Sequence, residues 1–167
     1  ILPEVKKELA PFEEKYGRNI PVFVAGGIRT AHEIKHYIER GADGVQMATA
    51  FIGTEECDAT DKYKQIMLKA GNGDVRIVKS PVGMPGRAIE TPLIKHVAEQ
   101  GRIAPAMCRR CIKTCDPGTT VYCISNALIA AWYGDLENGL FFCGSDIDCL
   151  KTIRPVRSVI DELNIRE

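Results

Sequence analysis

Pro21-Val22-Phe23-Val24-Ala25-Gly26-Gly27 and, one helix-length later, Gly44-Val45-Gln46-Met47-Ala48-Thr49 decide how this chain folds. The first run is apolar, rich in β-branched residues and broken by a glycine pair. It reads as a strand buried on both faces, as in a parallel sheet. Between the two runs, Thr30-Ala31-His32-Glu33 fits a helix capping box, Ile34, Tyr37 and Ile38 give an apolar stripe, and Gly41 ends the helix. Strand, glycine turn, helix and strand over residues 21–48 make one βαβ unit, with parallel strands and a right-handed crossover.

Upstream, residues 3–16 predict a helix with Pro3 at its first position, Gly17 at its end and a bend at Pro11. Downstream, the pattern predicts a helix over about 60–70 and a strand over about 74–79. A Gly- and Pro-rich loop over 80–87 follows, then helices over about 92–100, 120–133 and 155–163. A composition shift near residue 58 divides an α/β part, 1–58, from a part of helices and loops, 59–167. The chain opens at Ile1 inside an amphipathic pattern, as expected of a segment of a longer protein, and its first residues do not read as a signal peptide.

The composition narrows the function. Of 167 residues, 45% are hydrophobic, enough for a core, and 22 Lys plus Arg balance 22 Asp plus Glu. Zero net charge gives no argument for a nucleic-acid or anionic-membrane partner, and no apolar run suggests a membrane span. Seven cysteines, an odd number without an export signal, point to reduced thiols or metal ligands in a cytoplasmic protein.

Gly26-Gly27 directly after a strand lets backbone N–H groups approach a ligand without a Cβ in the way. The helix N-terminus that follows adds positive potential. Two consecutive strand ends, at Ala25-Gly26-Gly27 and Gln46-Met47-Ala48-Thr49, supply what the phosphate site after the seventh and eighth strands of a (βα)8 barrel requires. The alternative for the glycine pair is a tight turn with no ligand.

These residues resemble the nitronate monooxygenase family, which includes FMN-dependent enoyl-acyl-carrier-protein reductases. The likeness rests on Val24-Ala25-Gly26-Gly27-Ile28, on Gly41-Ala42-Asp43-Gly44-Val45-Gln46-Met47-Ala48-Thr49, and on Phe51 with Thr54-Glu55-Glu56. It continues through Gly83-Met84-Pro85-Gly86-Arg87-Ala88, which resembles a segment that folds back towards the active site, and the cysteine-bearing tail resembles a subgroup from anaerobic bacteria. The resemblance implies an α/β fold, the C-terminal portion of a (βα)8 TIM barrel with a helical, cysteine-rich extension. It implies FMN, its phosphate held by Gly26, Gly27, Gln46, Met47, Ala48 and Thr49. Ala48 stands where the family more often has Gly. The family's catalytic histidine lies in a Gly-Gly-His motif that this chain lacks, so none of His32, His36 and His96 is assigned as a base. His32 and His36 share a helix face, which reads as solvated.

Cys108-x2-Cys111-x3-Cys115-x7-Cys123 places four thiols close together, with Asp116-Pro117-Gly118 as a turn that brings Cys123 back. This spacing suits an iron–sulfur cluster or zinc. The alternatives are a redox-active pair or core cysteines, with Cys143 or Cys149 as substitute ligands. Arg87 is either a contact for an anionic ligand or an exposed loop arginine. The expected whole is an FMN-dependent oxidoreductase of alkyl nitronates acting on a small-molecule substrate. Its expected partners are the remainder of the barrel and, as an open option, a second copy. An NAD(P)H-dependent enoyl reductase and a non-catalytic metal or iron–sulfur module are the rivals.

Overall fold

A computed structural model describes residues 1–163. Its architecture is mixed α/β. Helix α1 (Leu2–Tyr16) runs unbroken through Pro11 and is capped by Gly17 in a left-handed conformation. Strands β1 (Phe23–Ala25) and β2 (Gly44–Gln46) pair in parallel, with Phe23 opposite Gly44 and Ala25 opposite Gln46. Between them lies α2 (Ala31–Glu39). Its Thr30 hydroxyl accepts from the Glu33 N–H while the Glu33 carboxylate accepts from the Thr30 N–H, which is the expected capping box.

One carboxylate ties this unit together. Asp43 Oδ2 accepts from Lys6 Nζ and from the Val22 N–H, both at 2.8 Å, and Oδ1 accepts from Asn19 Nδ2 at 3.3 Å. The Lys6 hydrogen bond, with the Val22 N–H next, holds the Asp43 carboxyl down at about 2.

Beyond β2 come a single-turn helix α3 (Thr49–Ile52) and then α4 (Asp61–Lys69). Strands β3 (Val75–Val78) and β4 (Gly86–Ile89) form an antiparallel pair, Val75 opposite Ile89. Then follow α5 (Pro92–Gln100), α6 (Ile124–Trp132) and α7 (Val156–Leu163). Thr91 caps α5 as expected, and its buried hydroxyl also donates to the Gly139 carbonyl at 3.0 Å.

Both apolar core clusters are built from buried residues beyond position 66. One apolar cluster gathers Val78, Ala88, Leu93, Ile94, Tyr122 and Leu140, and the adjoining one gathers Met67, Ile89, Phe141, Ile147 and Leu150. Strand β4 joins the two, since Ala88 belongs to one and Ile89 to the other. Phe141–Cys143 runs beside it like a third strand: the Ile89 N–H donates to the Phe141 carbonyl at 2.9 Å and the Cys143 N–H to the Arg87 carbonyl at 3.0 Å.

Several expectations are corrected. Strand β1 is not buried on both faces: Phe23 is 62% exposed and Ala25 is exposed beside it, and among the described residues β1 pairs only with β2. Met47 and Ala48 lie past the end of β2 rather than in it. Gly86 and Arg87 open a strand rather than closing a loop, so the part after residue 58 holds strands as well as helices. Helix α6 starts at Ile124, later than expected, with Cys123 as its cap residue. Among the described residues no helix is long and apolar enough to cross a membrane.

Candidate functional site

Gly26 and Gly27 turn the chain out of β1 at φ 94° and 73°, a region that residues with a Cβ rarely adopt. A Cβ on Gly26 would meet nothing within 4 Å, and one on Gly27 would meet only Ser145 Oγ at 3.6 Å. The space above both is therefore a hollow. It is part of a cavity of about 460 Å³ at the ends of β1 and β2. Gly26, Gly27, Gln46, Met47, Ala48 and Thr49, the six residues that sequence assigns to the cofactor, all line it.

A third wall was not foreseen. Gly144, Ser145 and Asp146, delivered by the stretch that runs beside β4, face the glycine pair across the cavity. The Gly144 N–H donates to Thr49 Oγ1 at 2.7 Å, which fixes that hydroxyl and leaves its proton available to a ligand. A signal was present: Phe141-Phe142-Cys143-Gly144-Ser145 repeats the apolar-run-then-glycine pattern of β1 and its turn.

The electrostatics differ from expectation at one point. The N-terminus of α2 is closed by its own Glu33, whose carboxylate takes the N–H groups of Arg29 and Thr30 at 3.0 Å. The positive charge at this edge of the cavity is instead Arg29, which pairs with Asp146 and lies near Glu33. Tyr63 and Cys143 complete the lining as neutral groups. Burial, with the neighbouring Cys143 and Cys57 thiols, pushes the Tyr63 phenol up to about 12. Burial likewise pushes Cys143 up to about 11, against the opposing charge of Arg87.

The four cysteines Cys108, Cys111, Cys115 and Cys123 line a second cavity, of about 630 Å³. They share that space without converging. Among the described residues no three His, Cys, Asp or Glu side chains are placed to hold one metal ion. The metal reading of these four is thereby unsupported. The Asp116 turn does form, through bonds from the Gly118 N–H and the Thr119 hydroxyl, but Cys111 faces Ser125 Oγ instead of another sulfur. Cys143 and Cys149 line the first cavity and not the second, which removes them as substitute ligands. Arg87 lines neither cavity and is an exposed residue of strand β4, not of a loop. His36 Nδ1 meets the Arg40 guanidinium at 2.7 Å, so this face of α2 serves the helix itself.

Residues 1–165 match the family model described as nitronate monooxygenase. The chain belongs to the nitronate monooxygenase family. Among curated relatives, a probable nitronate monooxygenase of Staphylococcus saprophyticus is 36% identical over 81 residues, covering 48% of this chain and 23% of that protein. A carboxyl-CoA dehydrogenase of Rhodococcus jostii is 32% identical over 85 residues, 51% of this chain and 24% of that protein. FabK from Thermotoga maritima superposes with a TM-score of 0.67 at 28% identity, covering 87% of this chain and 43% of that one. A nitroalkane oxidase from Streptomyces ansochromogenes gives 0.64 at 23% identity, over 89% and 40%, a likeness of fold. The chain thus spans about a quarter of the curated relatives and about two fifths of the structural ones.

Proposed function

We propose that this chain forms the FMN phosphate-binding end of a flavin oxidoreductase, with β1 and β2 as the seventh and eighth strands of a (βα)8 barrel. The observation that carries the reading is the hollow over Gly26 and Gly27, closed on one side by Gln46–Thr49 and on the other by Gly144–Asp146. The fit to a phosphate is chemical. Two glycines leave room for close approach, the Thr49 hydroxyl has a proton to donate, and Arg29, which a phosphate would share with Asp146, is the cation at the rim. FMN, when bound, accepts the substrate's electrons and passes them on. The residues of this chain bind and orient: Thr49 is held by the Gly144 N–H, Met47 and Ala48 line the cavity, Tyr63 and Cys143 add no charge, and the Asp146 carboxylate is paired with Arg29.

The proposed substrate of the complete protein is an alkyl nitronate, and the remaining strands of the barrel supply the base. They would also cover Phe23 and the apolar residues of α1 that stand exposed here. The likeness to FabK favours a second reading, reduction of an enoyl thioester with electrons from NAD(P)H.

The test uses the complete protein, purified without oxygen. A yellow protein that releases FMN on denaturation is the expected result. Its flavin band should bleach when an alkyl nitronate is added anaerobically. Bleaching by NADH or NADPH alone selects the reductase reading, and a colourless protein that cannot be loaded with FMN overturns both.

A further inference from the structure

The second cavity owes nothing to the flavin reading, and its chemistry is of another kind. Cys108-Arg109-Arg110-Cys111 is a C-x-x-C pair with both thiols exposed. Arg110 has φ 52°, and among the described residues it is the one non-glycine residue with positive φ. That conformation disfavours any side chain with a Cβ, and such outliers collect at functional loops. At the same residue, the Arg110 N–H points back at Cys108 Sγ, 3.4 Å away. That backbone donor fixes where the Cys108 sulfur lies, and Arg109 and Arg110 stand between the two thiols in sequence. Cys111 Sγ lies 3.0 Å from Ser125 Oγ at the start of α6, which holds the second thiol on the same cavity wall. Arg109, Arg110 and Lys113 line the cavity as well. Cys143 and Cys149 line the other cavity, and burial pushes both of those thiols up.

We propose that Cys108 and Cys111 are a reactive dithiol that exchanges with an anionic low-molecular-weight disulfide, Cys108 attacking and Cys111 resolving. The Cys108 thiolate attacks one sulfur of R–S–S–R. The S–S bond breaks, a Cys108–S–S–R bond forms, and RS⁻ leaves to take up a proton. The Cys111 thiolate then attacks Cys108 Sγ, which breaks the mixed disulfide, releases the second RS⁻ and closes the Cys108–Cys111 bond. Two electrons pass from the protein dithiol to the small disulfide, and the two protons lost by the cysteines end on two RSH molecules. The cationic lining selects an anionic partner over a cationic one by charge.

The experiment exposes the reduced complete protein to glutathione disulfide, quenches by alkylation and maps tryptic peptides. Arg109, Arg110 and Lys113 are cleavage sites, so the expected product is peptide 103–109 joined to peptide 111–113. Cys111→Ser should trap glutathione on Cys108, and Cys108→Ser should slow glutathione capture at least about tenfold. Cystamine, a cationic disulfide, should react about tenfold or more slowly than glutathione disulfide at low salt. Where a serine variant fails to fold, the parent protein gives the same answer, because Cys108 should be alkylated by iodoacetamide faster than Cys111. Faster alkylation of Cys111, a dominant link from Cys108 to Cys115 or Cys123, or thiols silent until a chelator strips a bound metal would each overturn the proposal.

Discussion

Gly26 and Gly41 form a natural matched pair for testing the phosphate site. Their φ values are 94° and 91°, and a Cβ on either would meet nothing within 4 Å. Alanine at either position therefore carries the same backbone penalty, about 1–3 kcal/mol for a residue held at positive φ, with no steric clash to add. The two positions differ in what lies above them. Gly26 lines the cavity at the strand ends and Gly41 does not. A methyl group on Gly26 would stand where a phosphate oxygen approaches the backbone. Losing one charge-assisted hydrogen bond there costs about 1.5–3 kcal/mol, which converts to about 10–150-fold in Kd. The assay is paired: urea unfolding of Gly26→Ala and Gly41→Ala in the complete protein, and titration of each deflavinated variant with FMN, followed by quenching of flavin fluorescence. The expected result is a similar loss of stability in both and a weakened FMN Kd in Gly26→Ala alone. Equal FMN affinities in the two variants would refute the reasoning, because strain alone would then account for everything the glycine does.

Three further outcomes follow from particular contacts. Thr49→Val removes the acceptor of the Gly144 N–H and the hydroxyl that faces the cavity, so FMN binding should weaken by about 1 kcal/mol or more, about fivefold or more in Kd, while Thr49→Ser keeps both; titration of the two variants separates them. The folded Asp43 carboxyl, at about 2, lies below its ordinary 3.8, so its clamp on Lys6 and Val22 is intact above about pH 4 and is lost as pH falls towards 2. Urea midpoints of Asp43→Asn and the parent should therefore differ at pH 6 and converge through that acid window. Phe141 is fully buried and packs on Tyr63 with ring centroids 5.0 Å apart; Phe141→Ala should cost about 3–5 kcal/mol in urea unfolding.

What the sequence revealed and what it hid divide along one physical line. The run Phe23-Val24-Ala25, the capping box at Thr30 and Glu33, the Thr91 cap and α7 are all local patterns, and each is found where its pattern places it. Strand β4 is not such a pattern. Gly86-Arg87-Ala88-Ile89 follows a turn-rich stretch, and what makes it a strand is its pairing with Val75–Val78 and the Ile89 contact to the Phe141 carbonyl, neither visible in a window of neighbours. The burial of β1 was overestimated for the same reason: an apolar run can say that a strand is suited to cover, but Phe23 stays exposed until something covers it.

The candidate site sits on this line. Two of its walls, Gly26-Gly27 and Gln46–Thr49, come from adjoining parts of one βαβ unit and were legible at once. The third, Gly144–Asp146, arrives from about a hundred residues away, carried by β4 and its neighbour, and it is the wall that fixes Thr49 and pairs with Arg29. The cysteine stretch shows the converse limit. Density in sequence does bring Cys108, Cys111, Cys115 and Cys123 to one cavity, but metal binding needs side-chain directions that converge, and spacing along a loop does not set them. Direction is set by individual torsions, and the one that stands out is Arg110. It combines a left-handed φ with a backbone N–H that meets Cys108 Sγ, a contact that distinguishes this sulfur from its three neighbours. Cys108 beside the Arg110 N–H and Cys111 beside Ser125 Oγ thus have different surroundings, although one short motif carries both.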